Sequence, residues 1–400
     1  MRSQVIRSTS ELDPRIWDTL VHPSIYERSA WLRARSRTMK AAERFVLISA
    51  EDGVPLVGAA AFLVGTQSHP GFVPARVLSV PELEDVDMAS QPNGAFVLAR
   101  LRGELGARAE EWLPGLVVSA PGRYGAISYG AGLTNATKRA ALDAALDAIE
   151  QEATADAARS ICFLYFVDGE DPLLAELLKE RGYLSLIIDA ECYLPILWDD
   201  LDGYLASFRA EGRKKIRYEM AAFDAAGATV ELRGGEALGP ELALLERNWR
   251  LKYGRTPPLS EIVADYEELR SYVSPNLRVF VATLAARPIG FTVFLEHGDT
   301  WYARFGGFDY SVGNLFLYFN LLFYRPIEVF TARRVKTARY SLKSYDAKRS
   351  RGCQLQNVLA YVRPPEGLSA LRESFEVIDR AQRLRFAAVA SRRITHATDV

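Results

Sequence analysis

Two long apolar hairpin patterns, one in each half of the chain, most constrain how this sequence folds. The first covers residues 45–65, FVLISAEDGVPLVGAAAFLVG, and turns at residues 51–53. The second covers residues 277–298, LRVFVATLAARPIGFTVFLEHG. Apolar runs on both sides of a short turn indicate β-hairpins. Gly58 and Gly290 precede the second apolar run of each hairpin, so the two patterns match at the same point.

The elements around the hairpins recur in one order: helices, hairpin, strand, helix, strand. In the first half we predict helices near 29–39, 93–112, 135–152 and 172–181, and strands near 116–120, 160–167 and 183–196. In the second half we predict helices near 201–226, 241–253 and 314–332, strands near 300–308, 338–342 and 357–363, and a closing helix near 368–393. So long a repeat indicates a duplicated domain, although any α+β protein offers hairpins and helices to match.

Chain length agrees with this duplication. The 400 residues exceed what one hydrophobic core usually organises. We predict an α/β fold with mixed sheets and an N-terminal domain at 1–196. A second domain follows at 197–365 and contains a basic helix at 201–226. A C-terminal helix and tail take up 366–400.

The basic helix carries the sharpest charge signal in the sequence. Five of the nine residues in 209–217 are basic, whereas the net charge of the chain is -1. Such concentration indicates an anionic partner at one place. Arg209, Arg213 and Arg217 fall at i, i+4 and i+8, so they line one stripe of the helix beside an apolar stripe. The candidate anion-binding residues are Arg209, Arg213, Lys214 and Arg217. The alternative is a solvated helix face with Lys215 and Glu219 as an i,i+4 pair.

Composition excludes several classes of protein. No apolar run has transmembrane length, and the N-terminus lacks the apolar core of a signal peptide. The three cysteines are widely spaced and the four histidines are scattered, so neither a disulfide framework nor a metal site is indicated. We therefore expect a cytoplasmic protein without a resident metal or cofactor.

Three segments of the second half carry a resemblance to a known family. They are residues 208–232, FRAEGRKKIRYEMAAFDAAGATVEL, residues 300–335, and residues 344–352, SYDAKRSRG. In the first half, residues 173–187 look like the last helix, glycine-aromatic turn and strand of a GNAT acyltransferase. The chain resembles the Fem-type, FemAB-like aminoacyltransferases of the GNAT superfamily. The resemblance implies two tandem GNAT-like acyltransferase domains plus a C-terminal helix.

The resemblance also implies an activity. Such enzymes move an aminoacyl group from aminoacyl-tRNA to an amine of a small molecule or peptide, in cell-wall or natural-product biosynthesis, and the basic helix would meet RNA. An acyl-CoA-dependent N-acyltransferase is the alternative. The loop after the 300–308 strand, GGFDYSVGN, lacks the RxxGxG pattern that cradles pyrophosphate, whereas the turn at 129–133 has a GxG spacing. A non-catalytic RNA- or precursor-binding protein is a third reading.

Amide formation defines the roles that the resemblance assigns. The amine must lose a proton, the oxyanion must be stabilised, and the leaving hydroxyl must gain a proton. The candidate catalytic residues are Asp346, Lys348 and Arg304. The candidate substrate-binding residues are Tyr302, Asp309, Asn314, Tyr318, Tyr345 and Arg351. Core packing of the tyrosines and a charged surface loop at 344–352 are the alternatives. Some relatives have His where this chain has Asp346, and Cys353 is interpreted as a buried structural thiol.

Overall fold

The computed structural model describes residues 1–368 and 371–391 and divides into two compact units. Unit 1 comprises Met1–Ala190 together with Gln356 and the described residues after it. Unit 2 comprises Glu191–Leu355. The sequence placed these limits at 196 and 365, and the last residues of the predicted C-terminal tail lie outside the described part of the chain.

Residues 1–195 alternate short helices and strands. The elements are β1 (Arg2–Ile6), α1 (Pro14–Trp17), α2 (Ser29–Arg35), β2 (Ala42–Ser49), β3 (Pro55–Val64), α3 (Pro74–Leu78), α4 (Gly94–Ala107), β4 (Gly115–Val118), β5 (Ile127–Tyr129), α5 (Asn135–Ala155), β6 (Ser160–Val167), α6 (Pro172–Glu180) and β7 (Leu184–Pro195). Side chains cap the two helices that flank β6. The Thr134 hydroxyl accepts from the amide of Thr137 at the start of α5, and Asp171 accepts from Leu174 at the start of α6.

The rest of the described chain follows the same alternation. The elements are α7 (Leu201–Ala206), α8 (Ala210–Ala225), β8 (Thr229–Arg233), α9 (Pro240–Lys252), α10 (Leu259–Val273), β9 (Leu277–Leu284), β10 (Arg287–His297), β11 (Thr300–Phe308), α11 (Leu317–Phe319), a π-helical turn (Asn320–Tyr324), α12 (Arg325–Ala332), β12 (Thr337–Leu342), α13 (Tyr345–Arg349), β13 (Gln354–Arg363) and α14 (Leu371–Ser391).

Strand pairing confirms the duplicated plan. In unit 1 the order β1-β2-β3-β4-β6 has three antiparallel pairs and then the parallel pair β4-β6. In unit 2 the order β8-β9-β10-β11-β12 has the same three antiparallel pairs and then the parallel pair β11-β12. Both predicted hairpins are present, as β2-β3 and β9-β10. Each parallel pair is connected by helical segments, as parallel strands require.

Two strands that pair out of sequence order explain why the units differ from the predicted domains. Strand β13 pairs antiparallel with β6 of unit 1, although it follows unit 2 in sequence. Residues 191–195 of β7 pair antiparallel with β12 of unit 2, although they follow unit 1. Such exchange of terminal strands leaves no mark in the local sequence pattern.

The predicted long helix at 201–226 is wrong in one respect, because it is interrupted. The Ser207 hydroxyl donates to the carbonyl of Tyr204 at 2.7 Å, and the Phe208 amide bonds the carbonyl of Leu205 instead of continuing the α-helical ladder. Arg209 then takes an extended conformation, with φ -65° and ψ 162°, as the N-cap of α8. The arginines at 209, 213 and 217 therefore do not form one continuous helical stripe.

Other local differences are smaller. Helix α10 was not predicted, and the predicted helix at 314–332 begins three residues later and contains the π-helical turn. The predicted loop at 344–352 contains the single turn α13. Two glycines of unit 2 allow close packing. A Cβ on Gly307 would lie 2.4 Å from the backbone of Leu245 on α9, and one on Gly290 would lie 2.9 Å from Leu321.

Unit 1 contains a buried network centred on the carboxyl group of Glu27. The Ser128 hydroxyl lies 2.7 Å from Oε2 of Glu27 and also 2.7 Å from Nδ1 of His22. The Ser24 hydroxyl lies 3.0 Å from Oε1, and Nε2 of His22 lies 3.5 Å from the Asp18 carboxylate. Burial raises the pKa of Glu27 to about 8, so this carboxyl group is mostly protonated near neutral pH.

We predict that Glu27→Gln changes how the stability of the protein depends on pH. The pKa of Glu27 is raised in the folded state, so its contribution is complete below the ordinary pKa of a glutamate. That contribution is lost as pH rises towards about 8. An amide stays neutral and keeps a donor and an acceptor for the two serines. The melting temperature of the variant minus that of the wild type should therefore rise from pH 5 to pH 8 and then level off.

The control is Glu111→Gln, which changes a glutamate of unit 1 whose side chain is 44% exposed. A hydrogen bond from Arg108 lowers the pKa of Glu111, so its charge is constant over this range. The melting temperature of Glu111→Gln minus that of the wild type should not change with pH. A flat difference for Glu27→Gln as well would contradict a protonated carboxyl group at this position.

Candidate functional site

A buried ion pair holds together the segments that carry the candidate residues of unit 2. Arg351 and Glu219 are each 1% exposed. Nη2 of Arg351 lies 2.8 and 2.6 Å from the two carboxylate oxygens of Glu219. Nε of Arg351 donates to the hydroxyl of Tyr324 at 2.5 Å, and that hydroxyl donates to Glu219. The guanidinium carbon lies 3.7 Å from the centre of the Phe319 ring.

This cluster joins parts of the chain that are far apart in sequence. Glu219 lies on α8, Tyr324 ends the π-helical turn, and Arg351 follows α13. Each charged group is paired and hydrogen-bonded, which is the condition under which a buried charge is tolerated. The cluster therefore fixes the 344–352 segment relative to α8.

Lys348 restrains the 344–352 segment through hydrogen bonds to the end of β12. It is 5% exposed, and its ammonium nitrogen lies 2.7, 3.2 and 2.9 Å from the carbonyl oxygens of Tyr340, Ser341 and Leu342. The backbone there is left-handed at Ser341 and Ser344, with φ of 58° and 54°. Non-glycine residues persist in that region only where the surroundings hold them. Lys348 supplies such a restraint.

The positions of Arg351 and Lys348 correct what the sequence suggested for them. Arg351 was expected to hold a substrate carboxylate or phosphate, but its guanidinium is occupied by Glu219 and Tyr324. Lys348 was expected to stabilise an oxyanion or bind a terminal phosphate, but its ammonium group donates to three backbone carbonyls. Asp346 is exposed on α13 and Tyr345 is half-buried. A role for these two residues stays a prediction.

Strand β11 presents Arg304 at a β-bulge. Val293 pairs with Phe305 and Phe294 pairs with Ala303, so Arg304 is the extra residue. In a regular strand Tyr302 and Arg304 would lie on the same face. A bulge re-aims side chains and breaks this alternation, so the rule does not place the two residues on one face here. Arg304 is half-buried, whereas Tyr302 is 2% exposed.

The loop after β11 begins at a fixed carboxylate. Asp309 accepts from both the hydroxyl and the amide of Ser311 and from Arg287 at 2.8 Å. The Ser311 hydroxyl, then its amide and Arg287, lower the pKa of Asp309 despite partial burial. Asn314 is exposed in this loop. Tyr318 is half-buried against Phe308, with ring centres 6.0 Å apart, and burial raises the pKa of its hydroxyl.

Helix α8 has two different faces. Ile216, Glu219 and Phe223 are buried, whereas the exposed residues include Arg209, Lys214, Arg217 and Tyr218. Arg213 is half-buried and its guanidinium donates to the carbonyl of Phe208. Three of the four candidate anion-binding cations are therefore exposed to solvent. The fourth, Arg213, instead bonds the backbone at the break before the helix.

The sequence did not predict Glu219 or Phe319 as residues of the candidate site. The structure confirms that Cys353 is a buried thiol. Glu219 lies at i+3 from Ile216 and i−4 from Phe223, so an acid on the apolar stripe was the available signal of a buried partner. Its spacing from Lys215 suggested a surface pair instead. Burial raises the pKa of Cys353 well above its ordinary value, which disfavours a thiolate nucleophile.

The family model for FemAB-like proteins, described as peptidoglycan biosynthesis/recognition, matches residues 107–353. The chain belongs to the FemAB-like family. The family and the fold point to an acyltransferase. A comparison with curated proteins found no match. Among the described residues, no helix combines the length and apolar character needed to cross a membrane.

Solved structures share the fold at low sequence identity. FemX superposes with a TM-score of 0.59 at 12% identity, over 90% of this chain and 97% of FemX. The C-terminal domain of a putative lysylphosphatidylglycerol synthetase from Agrobacterium fabrum has a TM-score of 0.52 at 10% identity, over 96% and 97% of the two chains. L-PGS from Bacillus licheniformis has a TM-score of 0.50 at 12% identity, over 90% and 98%.

We predict that Glu219→Gln lowers the free energy of unfolding by about 3–5 kcal/mol, because it leaves the Arg351 charge buried without its counter-ion. Asp224→Asn on the same helix is the matched control. Asp224 is mostly exposed and pairs with Arg325, and such surface pairs contribute about 0.2–1 kcal/mol. Denaturant unfolding of both variants measures the difference. Equal losses would show that the buried pair is not a major restraint.

Proposed function

We propose that this FemAB-like protein transfers an aminoacyl group from aminoacyl-tRNA to an amine of a peptide or small molecule. The observation that carries the proposal is the outer face of α8, where Arg209, Lys214 and Arg217 are exposed. The opposite face of this helix is fixed by Glu219. A cluster of exposed cations suits the phosphates of RNA, which dominate the affinity of nucleic-acid complexes.

The charge order along α8 supports a role in binding. A helix is stabilised by anions near its N-terminus and cations near its C-terminus. Helix α8 has the reverse pattern apart from Glu211, since Arg209, Arg213 and Lys214 lie at its start and Asp224 lies in its last turn. The arrangement therefore costs helix stability, and a bound phosphate backbone would offset that cost.

The chemistry joins an amine nitrogen to the ester carbonyl of the donor. The carbon–nitrogen bond forms, the carbon–oxygen bond to the ribose breaks, and the proton lost by the amine is matched by one gained at the ribose hydroxyl. Asp346 is an exposed carboxylate that can accept the amine proton. Arg304, half-buried at the bulge, can stabilise the oxyanion. Lys348 and Arg351 then act indirectly, by positioning the segment that carries Asp346.

The loop after β11 favours tRNA over coenzyme A as the donor. Gly306 and Gly307, which precede this loop on β11, are used for packing, since a Cβ on either would lie 2.4 Å from the backbone of β10 or α9. The Asp309 carboxylate occupies the amide of Ser311 and places a negative charge where a pyrophosphate would need free amides. The family description makes a peptidoglycan-precursor peptide with a free amine the first acceptor to test. Charged tRNA is available in the cytoplasm, the location we propose.

We predict that binding of tRNA depends steeply on salt and on the exposed cations of α8. About four phosphate contacts would give a slope of log affinity against log salt of roughly -3. Each of Arg209→Gln, Lys214→Gln and Arg217→Gln should weaken binding and reduce the slope by about one contact. The measurement is a salt titration of tRNA affinity by fluorescence anisotropy.

Arg233→Gln is the control, because Arg233 is an exposed arginine of unit 2 that pairs with Glu231 on its own strand. For Arg233→Gln, the slope of log affinity for tRNA against log salt should equal that of the wild type. Binding that does not respond to salt would contradict the proposal, and so would equal effects of the α8 and Arg233 variants.

A further inference from the structure

Unit 2 exposes an aromatic patch at the end of α9 that the reaction chemistry does not require. Tyr253 is 62% exposed and Tyr310 is 51% exposed. The Trp249 and Tyr253 rings have centres 5.3 Å apart at an interplanar angle of 62°. The ammonium group of Lys252 lies 4.1 Å from the centre of the Tyr310 ring. The rings of Tyr253 and Tyr310 are thus exposed at the surface. Trp249 packs against the first and Lys252 against the second.

The surroundings of this patch are basic. From Arg247 to Ser260 the sequence contains four cations and no acid. Arg250 is paired with Glu246, whereas Lys252 and Arg255 are exposed beside the rings. Burial and the neighbouring Tyr253 raise the pKa of Tyr310 to about 12, so its ring stays neutral at physiological pH. Exposed aromatic rings among cations are typical of surfaces that bind single-stranded nucleic acid.

Two separate sets of ring contacts involve residues 308–318, one with α8 and one with the patch. Tyr218 of α8, which is 65% exposed, contacts Phe316 with ring centres 5.8 Å apart. In the same loop region Phe308 contacts both Tyr318 and Tyr310, at 6.0 and 6.4 Å. All these residues belong to unit 2. The cations of α8 and the patch are therefore joined through one short segment, residues 308–318.

We propose that Tyr253 and Tyr310 stack the unpaired bases at the single-stranded 3′ end of the tRNA donor, while Lys252 and Arg255 contact its phosphates. This inference rests on the proposed function and assigns a different part of the RNA to each surface. The α8 cations meet the phosphates of the paired region, which is an electrostatic contact. The tyrosines meet base faces, which every base offers, so stacking tolerates any sequence at this end.

The test uses two RNA hairpins that differ only in a single-stranded 3′ overhang. The wild type should bind the overhang hairpin at least about five- to 150-fold more tightly than the blunt one, which is the range of one stacked base. Tyr253→Ala should remove most of this difference without changing the slope against salt, since stacking releases no counter-ions. Tyr253→Phe should retain the difference, because it keeps the ring.

Tyr272→Ala is the control, because Tyr272 is a 47% exposed tyrosine on α10 of the same unit. It should leave both affinities unchanged. Equal affinity of the wild type for the two hairpins would overturn the stacking inference and leave the proposed function standing, provided that the α8 variants still reduce the slope. The inference is also overturned if Tyr253→Ala weakens both hairpins equally. Failure of the wild type to bind either hairpin would overturn the proposed function as well.

Discussion

The buried contact of Arg351 with Glu219 and Tyr324 is the interaction on which the candidate site depends. It is satisfied on every side, by two carboxylate oxygens, a hydroxyl group and the face of Phe319. In a low-dielectric interior such a pair is costly to form and more costly to break. The contact therefore acts less as a source of stability than as a restraint that allows one arrangement of its segments.

That restraint accounts for the two different faces of α8. Glu219 fixes the inner face of α8 by its contact with Arg351, so the helix keeps one orientation despite the break that precedes it. The same contact and the three carbonyl bonds of Lys348 fix the segment that bears Asp346. The proposed binding surface and the candidate reaction centre are thus positioned by a single buried cluster, and neither Arg351 nor Lys348 has to touch a substrate to matter.

Local sequence patterns were sufficient for most elements of the fold. The two hairpins and β11 follow from apolar runs, and α5 and α6 follow from periodicity and terminal signals, because these patterns act over a few residues. The same local reasoning failed where the partner is remote. Glu219 and Arg351 are 132 positions apart, so no spacing rule connects them. The bulge at Arg304 depends on the register of β10, and the exchange of β7 and β13 depends on long-range pairing.

Above all, we propose that the protein transfers an aminoacyl group from tRNA. The most direct measurement incubates the protein with a mixture of peptide and small-molecule amines, and with either total tRNA charged with labelled amino acids or labelled acetyl-CoA. We expect label to move from the tRNA into an amide product, and pretreatment with ribonuclease to abolish that transfer. Transfer from acetyl-CoA that survives ribonuclease, with none from charged tRNA, would contradict the claim.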